Sequence, residues 1–300
     1  MLTANQLRKV AARSGARDVS KIEIDVILIV LLQMFEERGV LPHVAFKGGT
    51  MLRKMIFGSR GRLSTDLDFT LNSEMTPDDF TELLILTFTE PYRGLEFDLK
   101  DRKSWWMTGN GCGATPTVRH ADNPEGVSIK LEVSMRERPL LPVERRPQLE
   151  NLAFEMLGFV PASVPSLAYE EALSEKIRAA SQRSKIRDLY DLSESLSRPF
   201  NRRLVRRLAV LKLRSQADVL DYGRLVGSIS HPSYDVADLT SLLRKDQQPN
   251  LAELIDRVTR GFRFLADLDE DERLAVEDRY ARRRDLTEQL VQSIGEFVGR

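Results

Sequence analysis

The 300-residue chain has one cysteine, Cys112, three histidines and two tryptophans. A single thiol excludes an internal disulfide framework and any cysteine-rich zinc module. His43, His120 and His231 are isolated, and their spacing suggests no metal triad. Net charge is also missing, because 45 Lys and Arg balance 45 Asp and Glu. That balance excludes a uniformly basic nucleic-acid binder, although an average conceals local runs. Long apolar runs are absent. The longest, around Val26 to Leu32, falls far short of the ~18 residues of a membrane span. The first residues, Met1 to Arg8, lack the basic start and apolar stretch of a signal peptide. A soluble cytoplasmic protein is the expectation. No internal repeat and no low-complexity segment stands out.

What is present is an ordinary globular balance of 42% hydrophobic and 30% charged residues. The length suggests about two domains and burial of roughly three quarters of the unfolded surface. Helical periodicity is read over 4–13 and 20–38, the second capped by Asp18 or Ser20 and ended by Gly39. Val44-Ala-Phe reads as a short buried strand running into Lys47-Gly48-Gly49-Thr50 and a helical stretch to Phe57. In Leu67–Leu71 apolar residues alternate with Asp68 and Thr70, the period of a strand. Thr76-Pro77-Asp78-Asp79 opens a helix, with Thr as cap, Pro first and acids in the first turn. Strands are expected over 95–103, 115–120 and 127–135, with Thr108–Gly113 as a loop and Cys112 incidental within it. Beyond about residue 166 only helices are expected, and the Pro-punctuated stretch Pro139–Pro165 reads as the join. The expected fold is α+β: a domain with a mixed sheet over 1–160, then an all-helical domain over 161–300.

Chemistry concentrates around Lys47–Lys54 and Arg62–Phe69. A strand that ends in Gly48-Gly49-Thr50 and enters a helix exposes backbone N–H groups to a phosphate, and the missing side chains permit close approach. Asp66 and Asp68, two residues apart on a strand, share one face. Side by side they repel and favour a divalent cation such as Mg²⁺. A third acid on a neighbouring strand would complete a site for in-line displacement at phosphorus. Glu132, within the apolar strand Ser128–Ser134, is the candidate.

The order glycine loop, Asp-x-Asp, later acid resembles the DNA polymerase β-like nucleotidyltransferase superfamily, with a longer gap than usual between Gly49 and Asp66. Three blocks resemble one branch of it. They are Lys47-Gly-Gly-Thr-x-Leu-Arg, Arg62-Leu-Ser-x-Asp-Leu-Asp-Phe, and Lys176 followed by Arg187-Asp-Leu-Tyr-Asp-Leu. The branch is the AbiEii-type nucleotidyltransferase toxins of abortive-infection and toxin–antitoxin systems, which include MenT-like toxins. The resemblance spans residues 44–192, about half the chain. It implies a polymerase β-like fold, Mg²⁺, a nucleoside triphosphate as substrate, RNA (the tRNA 3′ end) as acceptor, and a cognate antitoxin. It implies Asp66, Asp68, Lys176 and Asp188 as catalytic, with Asp188 preferred over Asp191. Lys47, Gly48, Gly49, Thr50, Arg53, Ser64 and Lys176 would contact the nucleotide, with Arg62 assisting. Asp66, Asp68 and Glu132 would hold the metal. Ser64 also matches a serine phosphorylated in some relatives.

Each feature has a plainer alternative. Glu132 could pair with Lys130 or Arg136, Lys176 with Asp188 could be an interhelical ion pair, and Ser64 and Thr65 could serve a turn. Trp105-Trp106 could stack on bases or supply one core and one surface residue. Lys176–Arg214 holds twelve basic residues against three acids, and Asp267–Asp278 seven acids against one arginine. A solvated helix face is the plain reading of such runs, a basic RNA-facing surface the functional one. Two other functions stay open: modification of a protein or small molecule, and nucleotide binding without catalysis. The intact Asp-x-Asp pair speaks against the second. Nothing in the sequence addresses oligomeric state, and a monomer is the default.

Overall fold

The structure is a computed structural model and describes residues 1–99, 104–230 and 233–297. His231 and the end of the strand expected over 95–103 lie outside these residues. The chain forms two units. The first comprises Met1–Leu167 with Ser241–Gln248, the second Ala168–Thr240 with Pro249–Arg300. The division thus falls a few residues beyond the expected one, and a later segment returns to the first unit. Backbone bonds explain the return: Leu63 N–H donates to the Leu242 carbonyl (2.8 Å) and Lys245 N–H to that of Gly15 (2.8 Å).

Among the described residues, ten strands build the first unit: β1 (Val44–Lys47), β2 (Asp66–Leu71), β3 (Glu96–Asp98), β4 (Trp105–Thr108), β5 (Gly111–Ala114), β6 (Thr117–His120), β7 (Asn123–Ser128), β8 (Lys130–Ser134), β9 (Glu144–Arg146) and β10 (Val164–Ser166). Seven form one mixed sheet in the order β4-β5-β8-β2-β1-β10-β9, and β3-β6-β7 form a small antiparallel one. β2 runs parallel to β8 and antiparallel to β1.

Two expectations are corrected here. Gly111–Ala114 is a buried inner strand rather than loop. Glycine is depleted from strands, which hides such a segment. The packing explains it: a Cβ on Gly111 or Gly113 would stand 2.5 Å from the Val133 or Leu131 carbonyl oxygen of β8. The Pro139–Pro165 stretch is not merely a join either, since it supplies β9 and β10.

Alternation divides the large sheet into two faces. Phe46, Leu67, Phe69, Leu131, Val133 and Cys112 are buried on one. There Phe46 and Phe69 pair in register, their rings 5.0 Å apart. Phe35 of the helix Val19–Glu37 meets Phe69 edge-on at 6.2 Å. That helix is apolar nearly all round because it is buried nearly all round, from Val26 to Phe35 save Gln33. Its N-cap is Asp18, whose side chain accepts from Ser20 N–H. Thr76 caps the helix Pro77–Thr87 in the same way, accepting from Asp79 N–H at 3.1 Å. The opposite face carries Lys47 of β1, Asp66 and Asp68 of β2, and Lys130 and Glu132 of β8. Cys112 lies on the core face, where burial pushes its thiol up, against a bond with Thr81, which suits an inert packing residue.

The second unit is helical, beginning with Tyr169–Gln182, Ile186–Ser195 and Arg202–Arg214. Its charge runs meet each other. Arg206 Nε donates to Glu272 (2.6 Å), Arg207 Nε to Glu272 (3.2 Å) and Arg207 Nη2 to Asp269 (2.8 Å). Arg214 pairs with Asp278 (2.6 Å), and Lys212 with Glu171 (2.7 Å). These four cations are buried. With Lys176, five of the twelve basic residues are buried, so the run is not one continuous RNA-facing track. Its exposed members are Arg183, Lys185, Arg198, Arg202 and Arg203.

Candidate active site

The site begins at Gly48, where β1 ends. Its φ is +77°, and a Cβ there would collide with the Asp68 carboxylate. Glycine thus meets two separate demands, a left-handed backbone and a close approach. At Gly49 a Cβ would strike the guanidinium of buried Arg62. Gly39 has φ +75° with nothing within 4 Å, so it isolates the backbone demand from the steric one. Gly48→Ala is expected to destabilise by more than the roughly 1–2 kcal/mol of a left-handed alanine, and so to melt below Gly39→Ala. Equal melting temperatures would show that Asp68 yields freely.

Register assembles the rest. Asp68 on β2 lies opposite Lys47 on β1 and Glu132 on β8, and Asp66 lies opposite Lys130. Directly opposed residues point to the same face, so Lys47, Asp66, Asp68, Lys130 and Glu132 share it. Lys130 Nζ sits 2.9 Å from Glu132 Oε1. The Glu132 hydrogen bond, with the nearby charges of Glu132, Asp66 and Asp68, holds the Lys130 ammonium above its ordinary pKa. Both earlier readings of Glu132 are therefore present together, the partner of Lys130 and the acid beside Asp68. Thr65 Oγ1 donates to Asp66 Oδ1 at 3.1 Å.

The other expected nucleotide contacts fare differently. Thr50 is buried and its hydroxyl donates to the Asp66 carbonyl (2.5 Å), so it ties the loop to β2. Arg53 donates to the Gly58 carbonyl and faces the buried Asp25–Lys54 ion pair (2.8 Å). These groups line a cavity of about 190 Å³, a place different from the carboxylate face. Ser64 is buried, so its hydroxyl is not at the surface. Arg62 Nη1 donates to the Leu63 carbonyl (3.2 Å).

In the second unit Lys176 Nζ lies 2.9 Å from Asp188 Oδ1 and 2.8 Å from Asp191 Oδ2. Arg183 Nε adds a bond to Asp188 Oδ2 (2.8 Å). Burial alone would raise the Asp188 pKa, but Lys176 and Arg183 outweigh it and hold the carboxyl well below the usual range. So depressed a carboxylate is a weak proton acceptor. Both acids of the Arg-Asp-x-Tyr-Asp block pair with the one ammonium. The cluster is itself the interhelical ion pair of the plainer reading.

The sequence left Trp106 open between a base platform and one half of a core and surface pair. It lies opposite Gly113, which lies opposite Glu132. Trp105 and Trp106 are both exposed, at 39% and 37%, rather than divided between core and surface.

All-oxygen donors at the end of a glycine loop, on an open polar face of a mixed sheet, belong to phosphoryl chemistry. The class of protein so defined is the nucleotidyltransferase with a polymerase β-like fold. Over residues 30–288 the chain matches the family described as the nucleotidyl transferase AbiEii toxin of type IV toxin–antitoxin systems, and it belongs to that family. It is similar to MenT4, a nucleotidyltransferase toxin from Mycobacterium tuberculosis H37Rv, at 27% identity over 98% of this chain and 99% of that one, with a TM-score of 0.78. An H. pylori protein described as a conjectured nucleotidyltransferase shares the fold at 18% identity, over 84% of this chain and 98% of that one, with a TM-score of 0.52. No curated protein matches by sequence. Among the described residues, no helix is long and apolar enough to cross a membrane.

Proposed function

We propose that the chain transfers a nucleoside monophosphate from a nucleoside triphosphate to RNA, the tRNA 3′ end being the acceptor, and so blocks aminoacylation and translation. The row Lys47–Asp68–Glu132, with Asp66 beside it and the Gly48–Gly49 turn at its edge, carries this reading. The residues fit a hard cation. Among the described residues no three acids or histidines form a ready-made cage, and Mg²⁺ uses one or two carboxylates with waters and substrate phosphates rather than such a cage. Bound by Asp66 and Asp68 with Glu132, Mg²⁺ would neutralise charge on the phosphates.

The chain's own groups do the remaining work. Backbone N–H groups at Gly48 and Gly49 receive the phosphates, and Lys47 adds a point charge. Thr50 keeps the turn fixed to β2. Lys176, oriented by Asp188 and Asp191, takes the role that the family resemblance implies, as cation for the triphosphate tail. The acceptor hydroxyl loses its proton to solvent as its oxygen bonds to the α-phosphorus, the bond to the bridging oxygen breaks, and pyrophosphate leaves. The protein works in the cytoplasm as a monomer held in check by a cognate antitoxin.

The test is incubation with total tRNA, Mg²⁺ and each α-labelled nucleoside triphosphate in turn. Label in tRNA is the expected result. Label on protein would move the acceptor to another class, and no transfer by folded protein would end the proposal. Lys130→Met removes a cation beside all three carboxylates. It is expected to tighten Mn²⁺ binding about two- to fivefold in a spectroscopic titration. Unchanged affinity would mean that Lys130 does not compete for these acids.

A further inference from the structure

We propose that the indole of Trp106 is the platform on which a nucleobase stacks at this site. The inference rests on the nucleotidyl-transfer reading and adds to it the place where the base is held. One row of paired residues crosses five strands: Lys47 on β1, Asp68 on β2, Glu132 on β8, Gly113 on β5 and Trp106 on β4. All five residues face the same way. The indole does not stand away from the sheet but lies over Gly113, since a Cβ there would be 2.7 Å from Trp106 Nε1 and 2.8 Å from Cε2. The ring therefore sits one strand spacing, about 5 Å, from the strand of Glu132 and two spacings, about 10 Å, from that of Asp68.

That separation suits a single nucleoside, with phosphates at the aspartates and base on the indole. Trp106 is 37% exposed, so the residue presents surface for a stacking partner. Among the described residues β4 is the outermost strand of the sheet. An aromatic ring laid over a strand glycine can also be purely structural cover. That role needs only apolar bulk, whereas stacking needs a π face, and this difference makes the proposal testable. The base belongs to the incoming triphosphate or to the acceptor RNA, and the arms below separate these sources.

The chain has only two tryptophans, so Trp105→Phe makes Trp106 the sole reporter. Trp105 alternates to the other face, and its replacement is expected to leave transfer unchanged. In that background, titration with each nucleoside triphosphate is expected to quench emission saturably, while tripolyphosphate, which has no base, does not. Quenching by tRNA alone would keep the stack and assign it to the acceptor base. Quenching by neither would overturn it. Trp106→Leu keeps apolar cover over Gly113, so its melting temperature is expected to hold while the KM for the quenching nucleotide rises about ten- to a hundredfold. Trp106→Phe should recover most of the loss. A Trp106→Leu protein with wild-type KM, whether the source is triphosphate or tRNA, would reduce the indole to structural cover and leave the transfer reading standing. Saturable quenching without any transfer would do the reverse.

Discussion

Asp66→Ala is expected to lower nucleotidyl transfer by roughly a thousandfold or more, with a melting temperature unchanged or slightly raised. If Asp66 holds the cation as proposed, its loss removes several kcal/mol of charge stabilisation, and each 1.36 kcal/mol is tenfold in rate. Stability is expected to hold because Asp66 is half-buried on the polar face and contributes nothing to the core behind Leu67 and Phe69. Removing it also relieves repulsion from Asp68. The same pattern is expected for Asp68→Ala. The measurement is a tRNA-labelling rate beside a thermal melt. Transfer that survives in a folded Asp66→Ala protein would show that the row of acids is not where the chemistry occurs.

The largest expected effect on stability lies elsewhere, at Glu272. It is fully buried and receives Nε–H bonds from both Arg206 and Arg207. It also closes a capping box with Asp269 at the start of the helix Glu270–Glu277. Glu272→Ala strands two buried guanidiniums, with the partly exposed Asp269 and, for Arg207, the Ser293 hydroxyl left near them. Breaking a buried pair in this way costs about 3–5 kcal/mol. The melting temperature of this unit should fall on the order of 10 °C. Replacing Arg206, Arg207 and Glu272 together by apolar residues of similar volume is expected to recover most of the loss, because desolvation of all three charges is then avoided. A single variant that melts like the wild type would show that water reaches the cluster.

These sites differ in how far the sequence exposes them. Asp66-Leu-Asp-Phe reveals its two faces because the strand period is two, and the neighbouring glycine pair says what the polar face can receive. The β5 strand is hidden for the converse reason. Gly111 and Gly113 look like loop residues until the carbonyls of β8 are seen against them. Trp106 joins the site only through two successive register pairings, which no local pattern encodes. The charge runs mislead through distance along the chain. Arg206 and Glu272 are each unremarkable, and only folding shows that they spend their charges on each other. Lys176, Asp188 and Asp191 were legible as candidates on adjoining helices, but not that both carboxylates hold the one ammonium at once.

The return of Ser241–Gln248 to the first unit bears on the order in which this toxin matures. Its Leu242 carbonyl accepts the backbone N–H of Leu63, three residues before Asp66, and Lys245 N–H reaches back to Gly15. A chain emerging from the ribosome therefore displays both aspartates long before the segment that pins their approach has been made. A fragment stopped at Leu167 carries every strand of the sheet yet leaves Leu63 and Gly15 without their distant partners. The first unit thus stays unfinished through most of the chain's synthesis.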